Sequence, residues 1–173
     1  MIVTEASRQL LADCGVDTDR LALEWASAAE APRFVELITG YVSKIRDKGP
    51  IGSSEGEIPK DVMKRRLAAA VKAAEARKPR TLLGNLAKKL SRSGDYSNEA
   101  ISKGVKDKVL PAMRAERISI EVQMLLSEGP ASSKTLCAQT GASNEELEKV
   151  MAPLIKKGLI AKKNKKFSLN TGK

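Results

Sequence analysis

The sequence predicts a mainly α-helical chain that opens with an incomplete α/β unit, and three observations predict it. Of its 173 residues, 42% are apolar but only 3% are aromatic. A core built from Ala, Leu, Val and Ile suits packed helices. Apolar residues recur at helical spacing from Phe34 to the last third of the chain. One early stretch alternates like a strand, and the only later candidates are a short pair at the C-terminus.

Residues 4–14 read as a short helix with Leu10, Leu11 and Cys14 on one side and Gly15 as a left-handed stop. After the Asp-rich turn Val16–Arg20, the larger apolar residues of Leu21–Ser27 alternate, which suits a strand of about six residues. Ser27 and Glu30 have capping-box spacing, and Pro32 pushes the helix start later. Phe34, Leu37, Ile38, Tyr41, Val42 and Ile45 then form one apolar stripe that ends at Gly49-Pro50. A lone strand leaves ladder groups unpaired on both edges, so this segment needs a sheet from elsewhere.

The Gly/Ser-rich stretch 49–56 lacks the lysine of a phosphate loop and reads as a flexible linker. Pro59 starts a helix through about Arg77, with Met63, Leu67, Ala70, Val71 and Ala74 inward and Lys78-Pro79 as its stop. Leu82, Leu83, Leu86 and Leu90 mark a second helix broken at Ser93-Gly94-Asp95. A third runs from Asn98 to near Leu110, with Pro111 after it. A helix over Met113–Ser127 buries Ile118, Val122, Leu125 and Leu126. Ser132 caps a short helix bearing Leu136 and Cys137, and Gly141 makes the turn. Ser143 and Glu146 box the next helix, whose stripe is Leu147, Val150, Met151, Leu154 and Ile155. Leu159–Ala161 and Phe167–Leu169 can pair around a Lys162–Lys166 tip. Helix, helix-turn-helix and basic hairpin is the order of a winged helix domain. The expected divisions are an α-β-α segment at 1–50, a linker at 51–58, a basic helical region at 59–111 and the winged helix at 112–173.

Charge follows the same divisions. Residues 1–50 carry 6 basic and 8 acidic side chains, a net of −2; 51–111 carry +7 and 112–173 carry +5. Basic side chains in the middle more often form a solvated face than a nucleic-acid contact. The second helix of the turn begins Asn144-Glu145-Glu146-Leu147-Glu148. Three carboxylates there oppose a polyanion, so docking to protein is expected over sequence-specific DNA reading. Lys162, Lys163, Lys165 and Lys166 remain candidates for phosphate contact without base reading.

Several chemistries have no residues to carry them. There is no histidine, and Cys14 and Cys137 fall short of the four or so thiolates that hold zinc or an iron–sulfur cluster. No nucleophile elbow, Ser-x-x-Lys pair or phosphate loop appears, so no catalytic, cofactor or metal residue is assigned. Two distant cysteines and no basic, apolar leader suit a reducing cytoplasm, and no apolar run is long enough to span a membrane.

The run from Cys14 through Arg20, Glu24, Trp25, Ser27-Ala28 and Glu30, then Arg33-Phe34 and Gly49-Pro50, resembles the C-terminal part of the delta subunit of methyl-viologen-reducing hydrogenase. The likeness covers about residues 2–57. It implies a flavodoxin-like fold whose last strand and flanking helices this segment would supply. It also implies a 2Fe–2S protein passing electrons between a hydrogenase or formate dehydrogenase and the flavoprotein subunit of heterodisulfide reductase. The family's cysteine-bearing region precedes the matching stretch, so the cluster is expected in a partner or a missing N-terminal region. The expected role is an accessory subunit or fragment that docks to iron–sulfur or flavoprotein subunits through Trp25, Ser27, Glu30 and Phe34. The alternative is a winged helix DNA-binding regulator.

Overall fold

One long helical rod organises the chain. In the computed structural model, which describes residues 1–56 and 58–170, the rod runs unbroken from Asn98 to Glu128. Glu57 of the expected linker and residues 171–173 of the expected last domain lie outside the described residues. The rod starts as α5 (Asn98–Gly104), capped by the Ser97 hydroxyl, which accepts from the Ala100 N–H. It widens into a π turn (Val105–Val109) and continues as α6 (Leu110–Glu128). The expected stop before Pro111 does not occur. In the π turn the Leu110 N–H bonds back five residues to the Val105 carbonyl, so the ladder is already interrupted where proline has no donor.

Four helices precede the rod: α1 (Ile2–Asp13), α2 (Ala31–Lys48), α3 (Lys60–Glu75) and α4 (Arg77–Ser93). Gly15 ends α1 at φ +88°, and a Cβ there would meet Ile58 Cδ1 at 2.2 Å. The left-handed backbone is what requires glycine. The break between α3 and α4 falls at Ala76, whose ψ of 147° is extended, and not at Lys78-Pro79. Pro79 lies buried in the first turn of α4, where its missing N–H has no helical acceptor to lose. Val71 and Ala74 of α3, expected inward, are exposed; the apolar side runs instead through Val62, Met63, Ala69, Ala70 and Ala73.

Two cores form along the rod. Its first half packs Ile101, Val105, Val109 and Met113 against Ala6, Leu10 and Cys14 of the N-terminal helix and against Ala70, Leu86 and Leu90. Its second half packs Ile118, Val122 and Leu126 under Leu136, Leu147, Val150, Met151, Leu154, Ile160 and Phe167. These last belong to α7 (Ser133–Thr140), α8 (Asn144–Lys156) and a small antiparallel sheet of β1 (Ala131–Ser132), β2 (Ile160–Lys163) and β3 (Lys166–Leu169), ordered β1-β3-β2. The Ser143–Glu146 capping box forms, and Gly141 turns the chain at φ +70°. Ile155 departs from its expected burial and is exposed. The hairpin is tighter than expected. Asn164 and Lys165 alone form the tip, both at positive φ, so Lys162, Lys163 and Lys166 are strand residues. The architecture is therefore mainly helical with one three-stranded sheet.

Leu21–Ser27 forms no strand. Leu21 is extended at φ −125° and ψ 111°, but no backbone hydrogen bond ties Ala22–Ala26 to another segment among the described residues. The strand-like residues are in place, and the neighbouring strand that would make them a ladder is not.

Candidate functional site

The N-terminal segment holds an arginine-centred clamp that sequence reading misses. Asp17 opens a 3₁₀ turn (Thr18–Arg20) by accepting the Asp19 N–H at 2.9 Å. Arg20 points from that turn into the loop after α2. Its guanidinium pairs with Glu55 and donates to the Gly49 carbonyl at 2.8 Å, the Pro50 carbonyl at 3.2 Å and Ser54 Oγ at 3.1 Å. Glu55 in turn accepts the Gly52 N–H at 2.7 Å. Burial raises the Glu55 carboxyl, and the Arg20 and backbone donors outweigh it, leaving it below the usual range. The Gly/Ser stretch expected to be slack is thus folded around one charge, which also satisfies carbonyls at the α2 C-terminus.

The clamp grips only one half of α2. Tyr41 donates to the Arg20 carbonyl at 2.5 Å, Lys44 pairs with Asp19 at 3.0 Å, and Lys48 pairs with Asp17. Lysine contact holds Asp17 and Asp19 below the ordinary carboxyl value. The rest of its apolar surface is bare: Phe34, Val35, Ile38 and Val42 are exposed, and no residue of α2 is buried. Trp25 stands 69% exposed on the segment between the 3₁₀ turn and α2. With Leu23 it edges a cleft of about 620 Å³ whose other walls include Met1, Glu5 and Arg8 of α1 and Ile101 of α5.

The four candidate docking residues divide into two kinds. Ser27 and Glu30 make the turn between them: the Glu30 carboxylate accepts the Ser27 N–H at 2.8 Å, and the Ser27 hydroxyl accepts the Ala29 N–H at 3.1 Å. Trp25 and Phe34 flank that turn on the surface. Single large apolar side chains on a surface are ordinary, but a contiguous set marks a contact site.

A second polar cluster lies between the two cores. Arg117 of α6 is fully buried, donating to Asp13 of α1 at 2.7 Å, to Glu121 at 2.6 Å and to the Thr140 carbonyl at 3.2 Å. Arg65 of α3 reaches Glu121 at 3.3 Å, and Arg114 pairs with both Asp13 and Glu146. Burial pulls Arg117 below the ordinary guanidinium value and pushes Glu121 up, the surrounding arginines opposing the latter. Glu146, one of the three acids at the start of α8, is thereby capped and paired; Glu145 and Glu148 remain exposed.

Lys162, Lys163, Lys165 and Lys166 are all exposed at the hairpin, and the Lys162 ammonium sits 5.5 Å from the Phe167 ring centroid. The residues present do not fit a thiolate-held cluster. Cys14 lies wholly buried among apolar residues, its thiol pushed up by burial to about 11, whereas Cys137 sits on α7 and donates to Asn144 Oδ1 at 3.4 Å. Among the described residues no three His, Cys, Asp or Glu side chains gather into a metal-holding group, and no helix is long and apolar enough to cross a membrane.

A model of the family described as methyl-viologen-reducing hydrogenase, delta subunit, matches residues 3–49, from α1 through the end of α2. A ferredoxin:CoB-CoM heterodisulfide reductase subunit of Methanosarcina mazei is 41% identical over 46 residues, which is 27% of this chain and 6% of that relative. The chain thus spans a small fraction of the curated relative's length. No solved structure matches it.

Proposed function

We propose that this chain is an accessory subunit or split piece of a hydrogenase/heterodisulfide-reductase-type electron-transfer complex, and that it docks through residues 21–48. The observation that carries the proposal is the unpartnered apolar face of α2 beside Trp25, lying inside the stretch that resembles the hydrogenase delta subunit. In this reading Leu21–Ser27 adds to the edge of a flavodoxin-like sheet on an iron–sulfur or flavoprotein partner, and α2 covers one face of that sheet. Main-chain bonds supply affinity in such strand addition, and alternate side chains supply specificity. The 2Fe–2S cluster belongs to the partner, where it would carry electrons. This chain's residues bind and orient. The C-terminal helix-turn-helix and hairpin form a winged helix, with its acidic Glu145 and Glu148 suited to a protein partner.

The test is co-purification from anaerobic cytoplasmic extract with mass spectrometric identification. Hydrogenase or heterodisulfide reductase subunits are expected with the wild type, and Trp25→Ala or Phe34→Ala should weaken capture by about 30-fold, as central apolar anchors do. Capture without any such redox subunit defeats the proposal. Undiminished capture by both variants removes α2 from the interface.

A further inference from the structure

We infer that the outer face of α4 is a phosphate-binding surface for double-stranded nucleic acid, engaged without reading sequence. The helix carries Arg77, Lys78, Arg80, Lys88, Lys89 and Arg92, and no acidic residue. All six cations are exposed, and none is ion-paired among the described residues. Every other helix of more than eight residues contains at least one carboxylate. At 3.6 residues per turn, five of the six fall within an arc of about 120°, with Arg80 on its flank. Exposed Thr81 and Asn85 lie inside that arc. From Arg77 to Arg92 the array spans about 22 Å at 1.5 Å per residue. That is the axial length of about six phosphates of one strand.

Folding alone does not account for this pattern. Three of the cations sit in the first turn, where the helix macrodipole is positive and disfavours them. The leucines of the helix, Leu82, Leu83, Leu86 and Leu90, face the core and leave no apolar wedge outside. A membrane-surface helix presents such a wedge, and a protein interface presents aromatic or aliphatic anchors. Cations interleaved with small hydrogen-bonding side chains are what a phosphate backbone takes.

The experiment is fluorescence anisotropy of the full chain with a labelled 20-base-pair duplex of random sequence, titrated at 50 and 200 mM salt. Wild type should bind at the lower salt and release steeply as salt rises. Lys88→Glu/Lys89→Glu/Arg92→Glu should weaken binding at least tenfold and flatten the log–log salt slope by about 3. The Gln triple should act in the same direction should the Glu triple fail to fold. Arg77→Glu/Lys78→Glu should raise the melting temperature while weakening the duplex, a combination that a structural role for these cations does not give. The proposal is overturned if the wild type does not bind at 50 mM salt, or if the Gln triple binds as wild type does. It is also overturned if polyglutamate of matched charge displaces the duplex at lower concentration, which assigns the face to an acidic protein. Preferential binding to phosphatidylserine vesicles would likewise overturn it and assign the face to a membrane.

Discussion

Helices α1 and α2 stand side by side in the sequence, and both fall in the stretch that resembles the hydrogenase delta subunit. Each carries an apolar stripe. Yet α1 sets Ala6, Leu10 and the adjoining Cys14 into a core with α4, α5 and α6, whereas α2 buries nothing. The difference lies in what each stripe meets. The first half of the rod presents Ile101, Val105 and Met113 to α1. The polar clamp of Asp17, Asp19 and Arg20 takes Tyr41, Lys44 and Lys48 of α2 and leaves Phe34, Val35, Ile38 and Val42 exposed. One matched segment therefore has an anchored half and an offered half. In the proposed reading, α1 fixes the segment to the chain and α2 remains available to a partner.

The largest break of this comparison comes at Arg117. Replacing it by Ala leaves Asp13 to Arg114 alone and Glu121 to Arg65 alone, and removal of one partner from a buried charge cluster costs about 3–5 kcal/mol. Urea unfolding should show that loss and with it the release of α1 from the rod. Replacing Asp13, Arg117 and Glu121 together by apolar residues should restore most of the stability. Undiminished stability of the single variant would mean that the cluster does not hold α1.

The sharpest contrast pairs Leu10→Ala with Phe34→Ala. Leu10 is 6% exposed and Phe34 57%. The first should destabilise by about 2–5 kcal/mol through lost burial and a cavity. The second should stay within about 0.5 kcal/mol of wild type, as exposed substitutions do. Equal losses in urea midpoints would show that α2 is packed in the free chain. A smaller effect is expected at the clamp. Arg20→Ala leaves Glu55 unpaired and the loop carbonyls unmet, worth about 1–3 kcal/mol locally. Faster amide exchange or proteolysis confined to residues 49–56 would report it, with α1 still protected.

Much of this division is legible in the residues. The α2 stripe, the Gly15 stop and the Ser143–Glu146 box follow from spacing and turn chemistry, whereas the strand expected over Leu21–Ser27 does not form. The two proline stops fall elsewhere for one reason. Pro79 and Pro111 read as breaks, but each sits in a first helical turn, a place proline tolerates, and the π turn that admits Pro111 has no sequence signature. The Gly/Ser stretch reads as slack because nothing local says that Arg20, about 30 positions away, will organise it. The buried cluster leaves one faint signal: Arg117 and Glu121 stand four apart, each directly before a buried apolar residue, Ile118 and Val122, of α6. A charged pair there reads as an ordinary surface contact until Asp13 arrives from the far end of the chain. The face of α4 reads as a solvated surface by its charge alone; its missing acids and its unpaired first turn are what single it out.

The smallest effect tests whether α1 and α8 share one electrostatic link. Arg114 bridges Asp13 on α1 to Glu146 on α8 and also donates to the Gly141 carbonyl at 2.8 Å. Its guanidinium, helped by the Ser143 N–H and opposed by burial, holds the Glu146 carboxyl down at about 2, against 4.5 ordinarily. A carboxyl depressed in the folded state stabilises the fold above its unfolded value. That contribution fades as pH falls from about 4.5 toward 2. The shift would amount to about 3 kcal/mol if undiminished. Both side chains are partly exposed, 28% for Arg114 and 37% for Glu146, so screening reduces it to about 1 kcal/mol. Asp17 and Asp19 titrate in the same direction through Lys48 and Lys44, so acid destabilisation of the wild type alone does not isolate this link. The difference between wild type and Glu146→Gln does. Urea midpoints should separate the two at pH 6 and converge between pH 4.5 and 2, and added salt should narrow the gap. A gap that persists unchanged to pH 2 would mean that the ionised Glu146 carboxylate contributes nothing to the link between α6 and α8.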